Sequence, residues 1–319
     1  MSELLQSIDT RIRPVGTNKL EILLFTLGSH AVTGQRETFG INVFKVREVI
    51  RTPAITAAPE MPPAVEGMVS LRGMLVPVIN LAHYANVTAD SPPSIMIVTE
   101  CIGQTQGFLV EGVDTILRLD WSQMKIPPRM LQAEMGGLVT AVAELPDERL
   151  VMMLDVEKIL SETTKCDDEV VYQNIQPLNN PSLTVFFADD STVARRQIIR
   201  TLEAMQVKYV ESTNGRTAWE ELEKIAVYAQ ASGQNVRSFI SLILTDVEMP
   251  EMDGYALVKK VKTDPRFAGI PVIMHSSMSG LSNQHRGDSA ECDEYVTKLE
   301  PQKLAETLTR LFGRQQLLS

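Results

Sequence analysis

Four apolar runs in the second half of the chain each stop on residues that can do chemistry. Leu242-Ile243-Leu244-Thr245 stops on Asp246, and a Met249-Pro250 turn follows. The run 183–188 stops on Asp189-Asp190, the run 270–275 on Ser276-Ser277, and the short run 294–297 on Lys298. Apolar runs of this length read as buried parallel strands, and open α/β sheets gather their chemistry at the carboxyl ends of strands. Three carboxylates, a hydroxyl and an ammonium brought to one sheet edge make a site that accepts a phosphoryl group. The acids hold Mg2+, and the metal, hydroxyl and lysine neutralise the incoming oxygens. A single strand-end Asp is often only a helix cap; the coincidence of Asp246 with the other four residues carries the reading. Carboxylates held this close repel one another, and a bound cation relieves the repulsion.

The elements that must position these residues follow from the pattern around them. Helical stretches at 192–205, 216–231, 254–263 and 302–312 alternate with the apolar runs, which predicts a parallel sheet covered by helices. The stretch 228–238 is longer than such a crossover needs and is expected to extend the second helix and its loop. Residues 19 to about 160 read differently. Short apolar runs at 20–27, 39–43, 67–71, 74–81, 94–99, 107–110, 139–143 and 150–154 are separated by glycine, proline and charge. Many strands without long helices predict an all-β domain, sandwich or barrel. The polar, turn-rich segment 163–182 reads as a linker. In the N-terminal segment 1–18, Leu4, Leu5 and Ile8 at helical spacing predict a short helix that stops before Pro14.

A chain of 319 residues has room for two domains. The net charge of −10, with no long basic stretch, argues against nucleic acid as a partner. Cys101, Cys166 and Cys292 form no C-x-x-C and are expected as free thiols. His30, His83, His275 and His285 show no metal-binding spacing and are expected to be structural or surface residues. No apolar run approaches the ~18 residues of a membrane span, and the first residues lack signal-peptide character. A soluble, cytoplasmic protein that reaches a membrane only through partners is expected. The first half offers no Ser/His/Asp arrangement, Gly-rich phosphate loop or metal cluster, so no separate catalytic domain is expected.

The second half, about residues 183–315, resembles the response-regulator receiver domain. The resemblance rests on the Asp189-Asp190 pair, Asp246 followed by Met249-Pro250 and Met252-Asp253-Gly254, the serine after the fourth strand, and Tyr295-Val296-Thr297-Lys298. It implies a flavodoxin-like (βα)5 fold with Asp246 as phosphoacceptor. It also implies Asp190 as a direct Mg2+ ligand, Asp189 acting through water, and the backbone carbonyl of Glu248 completing the protein ligands. Ser276 takes the place of the switch hydroxyl, Tyr295 that of the switch aromatic, and Lys298 that of the phosphate-binding lysine. Receivers usually carry proline directly after this lysine; here Leu299 follows.

In the first half, residues 67–81 place two apolar strands around an Arg72-Gly73 reversal. Glycine permits positive φ there, and Arg72 is pushed into solvent at the tip. This segment, with 39–49, 107–113 and 150–160, resembles the CheW-type coupling domain over about residues 19–162. Ser70 and Asn80 stand where that family carries Asn and Asp. The resemblance implies two five-stranded β-barrels packed together, acting as a scaffold between chemoreceptor tips and the histidine kinase CheA. Its interface positions fall on Val46, Glu48, Gly67 and Arg72. A CheW-type domain joined to a receiver resembles the CheV-type chemotaxis coupling proteins. That resemblance implies an adaptor located at receptor arrays and regulated by phosphorylation. A rival reading makes the receiver a phosphate sink for CheA, localised by the coupling domain.

Overall fold

The computed structural model describes residues 19–29, 36–57, 61–62, 64–85, 87–89, 91–101, 104–163, 168–178, 180–277 and 292–316. The helix expected within 1–18 lies outside these residues. The described residues form two compact units, one ending at Thr163 and one starting at Asp168.

The first unit contains β1 (Lys19–Ser29), β2 (Arg36–Asn42), β3 (Val46–Arg51), β4 (Val65–Leu71) and β5 (Met74–Asn80). It continues with β6 (Ile95–Cys101), β7 (Gln104–Val110), β8 (Gly112–Asp120), β9 (Val139–Glu144) and β10 (Leu150–Leu154). They build two five-stranded sheets, ordered β8-β1-β2-β10-β9 and β3-β6-β7-β5-β4. Alternation along β1 sends Leu20, Ile22 and Leu24 into one core with Trp121, Ala141 and Val151. On the opposite face of β1, Phe25 stacks on Phe39 with ring centroids 6.2 Å apart. In the second sheet Val69, Val76, Val78, Met96, Val98 and Leu109 form a core of their own. An isolated bridge between Thr56 and Met68 brings the chain beyond β3 back against β4, so this sheet curls on itself. Helix Val156–Thr163 buries Ile159 and Leu160, and Asp155 begins it by accepting the backbone N–H of Lys158 at 2.9 Å.

The second unit is a parallel sheet ordered β12-β11-β13-β14-β15, made of β11 (Thr184–Ala188), β12 (Lys208–Ser212), β13 (Leu242–Asp246), β14 (Val272–Ser276) and β15 (Glu294–Thr297). Helices Thr192–Ala204, Gly215–Ala231, Gly254–Thr263 and Pro301–Gln316 cover it. The period-2 pattern divides the strands between two cores. Phe187, Leu244 and Ile273 pack with Ile198, Leu202 and Leu308 on one face. Phe186, Ile243 and Met274 pack with Leu222, Leu257 and Val261 on the other. As expected, the second helix is long. It runs to Ala231 and is followed by a short turn of 3-10 helix, Val236–Ser238, that buries Val236.

Part of the segment expected as a linker is packed instead of free. Asp168–Gln173 is helical, and Ile175 is buried in the core that holds Leu202 and Leu308. The Arg200 guanidinium lies 4.2 Å from the centre of the Tyr172 ring, and the Leu178 N–H donates to the Met205 carbonyl at 2.9 Å. Tyr172, Ile175 and Leu178 are apolar enough to hold this stretch on the unit despite its polar surroundings.

Candidate functional site

The parallel register sets Ala188 beside Thr245 and Asp246 beside His275. Asp189 therefore leaves β11 level with Asp246, at the carboxyl edge of the sheet. One carboxylate oxygen each from Asp189, Asp190 and Asp246 lie within 4.8 Å of one another. Asp189 and Asp246 are 0% and 3% exposed, and Asp190 is half-buried. Lys298, 1% exposed, reaches between them. Its Nζ is 2.9 Å from Asp246 Oδ2 and 3.1 Å from Asp189 Oδ2. The Lys298 N–H donates to the Ser276 carbonyl at 2.8 Å, which ties the lysine to the end of β14. The Ser276 side chain is buried at the same edge, and Glu248 follows two residues after Asp246 on the adjoining loop.

Local chemistry explains why the chain folds this way around the acids. The Ser191 N–H donates to Asp189 Oδ1 at 2.9 Å, and Ser191 caps helix Thr192–Ala204. Arg195 Nη1 donates to the carbonyls of both Asp189 and Asp190 at 2.9 Å, which pins the backbone of the acid pair. Beyond β13, Asp253 caps helix Gly254–Thr263 by accepting the Ala256 N–H at 2.7 Å. A Cβ at Gly254 would stand 2.0 Å from the Asp246 carbonyl oxygen, so only glycine lets the helix start this close to the strand end. The Met252-Asp253-Gly254 motif thus shapes the loop. After the lysine, Leu299 takes a left-handed conformation at φ 55°.

Tyr295 is half-buried against the core of the Phe186 face, together with Tyr255 and Cys292. Burial pushes its phenol well above the ordinary tyrosine value, and Tyr255 and the Cys292 thiol add to this. Burial also raises the Cys292 thiol. Cys101 and Cys292 are free thiols, and Cys166 lies outside the described residues.

Two residues at the site had no assigned role in the sequence. One is Arg195, whose task depends on a backbone path that no motif announces. The other is His275, 2% exposed, with Nδ1 3.7 Å from Asp189 Oδ2. The β13–β14 register, which pairs it with Asp246, is what sets it on the acid face.

On the first unit, Arg72 and Gly73 take φ values of 49° and 83° between paired Leu71 and Met74. That is a two-residue turn with both φ positive, the hairpin turn that suits strand twist. The Arg72 side chain is 72% exposed and its Nη2 lies 3.0 Å from Glu48 Oε2. Met74 and Leu75, next along the hairpin, are 42% and 72% exposed. The four residues expected on a partner surface therefore separate into two pairs. Arg72 and Glu48 meet at the surface. Val46 is 6% exposed and has little to offer a partner. Gly67 takes φ 148° where a Cβ would stand 2.3 Å from the Thr56 carbonyl oxygen, so its work is close packing.

A curled two-sheet β unit followed by a parallel sheet with an acid-rich carboxyl edge defines a coupling-type domain joined to a phosphoacceptor domain. Residues 21–164 match the CheW-like domain family and residues 185–309 the response regulator receiver domain family. The chain is 28% identical to chemotaxis protein CheV3 of Helicobacter pylori over 284 residues, 86% of this chain and 89% of that one. It is 27% identical to CheV1 of the same organism over 323 residues, 95% and 97% of the two chains. Its receiver is 33% identical to that organism's chemotaxis protein CheY1 over 133 residues, 41% of this chain and 98% of the relative. The chain belongs to the CheV-type chemotaxis proteins, a CheW-like domain followed by a receiver. Receivers bind Mg2+ through acidic residues, and the Asp189–Asp190–Asp246 cluster has the hard oxygen donors, the spacing and the mutual repulsion that such a cation answers. Among the described residues, no helix is long and apolar enough to cross a membrane.

Proposed function

We propose that this chemotaxis coupling adaptor is controlled by phosphorylation of Asp246, with a CheA-type histidine kinase as donor. One Asp246 oxygen attacks the phosphorus of the kinase phosphohistidine, the P–N bond breaks, and an aspartyl phosphate forms. The observation that carries this reading is the buried Asp246–Lys298–Asp189 cluster beside Asp190. Asp190 and Asp246 would hold Mg2+ directly, with Asp189 acting through water and the Glu248 carbonyl completing the set. When bound, the ion supplies positive charge to the transferring phosphoryl oxygens.

The chain's own residues do the rest. Lys298 turns one N–H toward a phosphoryl oxygen, and the Ser276 hydroxyl donates to another. Phosphorylation adds about −1.5 to −2 charges and three acceptor oxygens, enough to draw both groups inward. Tyr295, three residues before the lysine on β15, changes its packing with them and passes the change to the receiver surface. The result is a partial population shift, since a swing from 1:99 to 99:1 would need about 5.5 kcal/mol.

The CheW-like domain supplies the coupling. Arg72 and Glu48, with the exposed Met74 and Leu75 beside them, would contact the kinase or the receptor tips and hold the chain at receptor arrays. Pull-down with CheA and receptor fragments, with and without an acyl-phosphate donor and Mg2+, tests this. Capture of both partners that changes on phosphorylation supports a regulated adaptor. Capture that ignores phosphorylation, with rapid loss of phosphate, points to the sink reading instead.

A further inference from the structure

We propose that His275 is a positioning residue that takes over Asp189 when Lys298 turns to the phosphoryl group. The inference rests on Asp246 being the phosphoacceptor. Lys298 is shared, at 2.9 Å from Asp246 and 3.1 Å from Asp189. If it follows a phosphoryl oxygen on Asp246, Asp189 loses its direct charged partner and keeps only the water that links it to the metal. A buried carboxylate with unmatched lone pairs is strongly disfavoured, so a donor that takes the place of the lysine stabilises the phosphorylated state.

The group facing that oxygen is the imidazole. His275 Nδ1 is 3.7 Å from Asp189 Oδ2, too far for a hydrogen bond; Nδ1 has no hydrogen-bond partner among the described residues, and Oδ2 has the lysine ammonium at 3.1 Å. A buried imidazole nitrogen that faces a carboxylate oxygen and bonds to nothing calls for an explanation. Closing by under 1 Å brings Nδ1–H to hydrogen-bond distance, about 2.9 Å.

The position itself argues against a packing role. On β14, Ile273 occupies the same face two residues earlier and belongs to the core of Phe187, Leu244 and Leu308. The next residue on that face is His275, level with Asp246. An aliphatic side chain would fill this place without burying polar atoms, and the imidazole is tolerated only if its donor is used. The remaining hydrogen bonds hold Asp189 still while partners exchange: Ser191 N–H keeps Oδ1 at 2.9 Å, and Oδ2 passes from lysine to histidine.

The test uses the full chain carrying Trp121→Phe, so that Trp219 alone reports the receiver, with beryllium fluoride as the phosphoryl stand-in. His275→Val removes the donor, and His275→Asn keeps an N–H. With Mg2+ saturating, His275→Val should bind beryllium fluoride about tenfold more weakly, the loss expected for one buried oxygen left without a donor. His275→Asn should recover part of that loss. Mg2+ affinity without beryllium fluoride should change less than about twofold, since the lysine still serves Asp189 in that state. Metal-free stability of His275→Val in urea should equal or exceed that of the parent. Parent-like beryllium fluoride binding by His275→Val overturns the proposal, as does an equal loss of Mg2+ affinity. Failure of the folded parent to bind beryllium fluoride overturns the Asp246 reading as well, a separate and recognisable outcome.

Discussion

Removing the Lys298 ammonium exposes the energetics of the site most directly. Its Nζ lies 2.9 Å from Asp246 Oδ2 and 3.1 Å from Asp189 Oδ2, with all three side chains at most 4% exposed. At an effective dielectric of about 20, those distances give gross attractions of roughly 6 and 5 kcal/mol. Desolvation of the ions offsets several kcal/mol each, so the net loss on breaking the cluster should be about 3–5 kcal/mol. Lys298→Met keeps the bulk of the side chain and deletes the charge. The chain has two tryptophans, one in each unit, so Trp219 in a Trp121→Phe background reads the receiver alone. Urea unfolding without Mg2+ should show the 3–5 kcal/mol loss against a typical domain stability of about 5–15 kcal/mol. Adding Asp246→Asn to Lys298→Met should restore part of the loss, because it removes a carboxylate that Asp189 repels. Mg2+ should stabilise Lys298→Met more than the parent. A metal-free loss below about 1 kcal/mol, or a double variant less stable than Lys298→Met, would refute the reasoning, since a broken buried pair cannot be that cheap.

Other expectations follow from single residues. Gly254→Ala puts a Cβ 2.0 Å from the Asp246 carbonyl, so it should destabilise the receiver by more than about 2 kcal/mol and slow labelling by an acyl phosphate. Leu299→Gly relieves a left-handed φ of 55° and should be neutral or stabilising by up to about 1 kcal/mol in urea unfolding. Leu299→Pro, locked near φ −65°, should destabilise by more than about 1 kcal/mol. Arg72→Asn suits φ 49° and should leave the melting temperature unchanged or higher, yet lower affinity for CheA or a receptor fragment at least tenfold, about 1.4 kcal/mol, by titration calorimetry. Affinities for both partners within a factor of two would reduce Arg72 to a solvated turn residue.

The fold was legible where burial is two-sided. β11, β13 and β14 are nearly continuous apolar runs because helices cover both faces, and each ends on residues of the candidate site. β3, β8 and β12 were missed because they stand partly in solvent. β12 is exposed at four of its five residues, and β3 and β8 mix charge with apolar residues, as Val46–Arg51 does. The stretch 168–178 read as linker because its apolar residues are interspersed with Asp168, Glu169, Gln173, Asn174, Gln176 and Pro177, and the core partners of Tyr172, Ile175 and Leu178 lie far along the chain. Of the site, the strand-end acids, Ser276 and Lys298 could be seen in advance because each occupies a strand terminus. Arg195 and His275 could not, since a backbone path places one and sheet register the other. Family resemblance picked out Val46, Glu48, Gly67 and Arg72 alike, and only burial and φ separate the two that reach the surface from the two that pack beneath it.

The central claim is that Asp246 carries the phosphoryl group with the help of a divalent cation. The direct measurement is to treat the full chain with an acyl phosphate and Mg2+, trap the product with borohydride, and map the peptides by mass spectrometry. An aspartyl phosphate is reduced to homoserine, so the account predicts homoserine at position 246, absent without Mg2+ and absent from Asp246→Asn. Homoserine at another carboxylate, or label that persists in Asp246→Asn as an acid-stable, hydroxylamine-resistant phosphate, would contradict it.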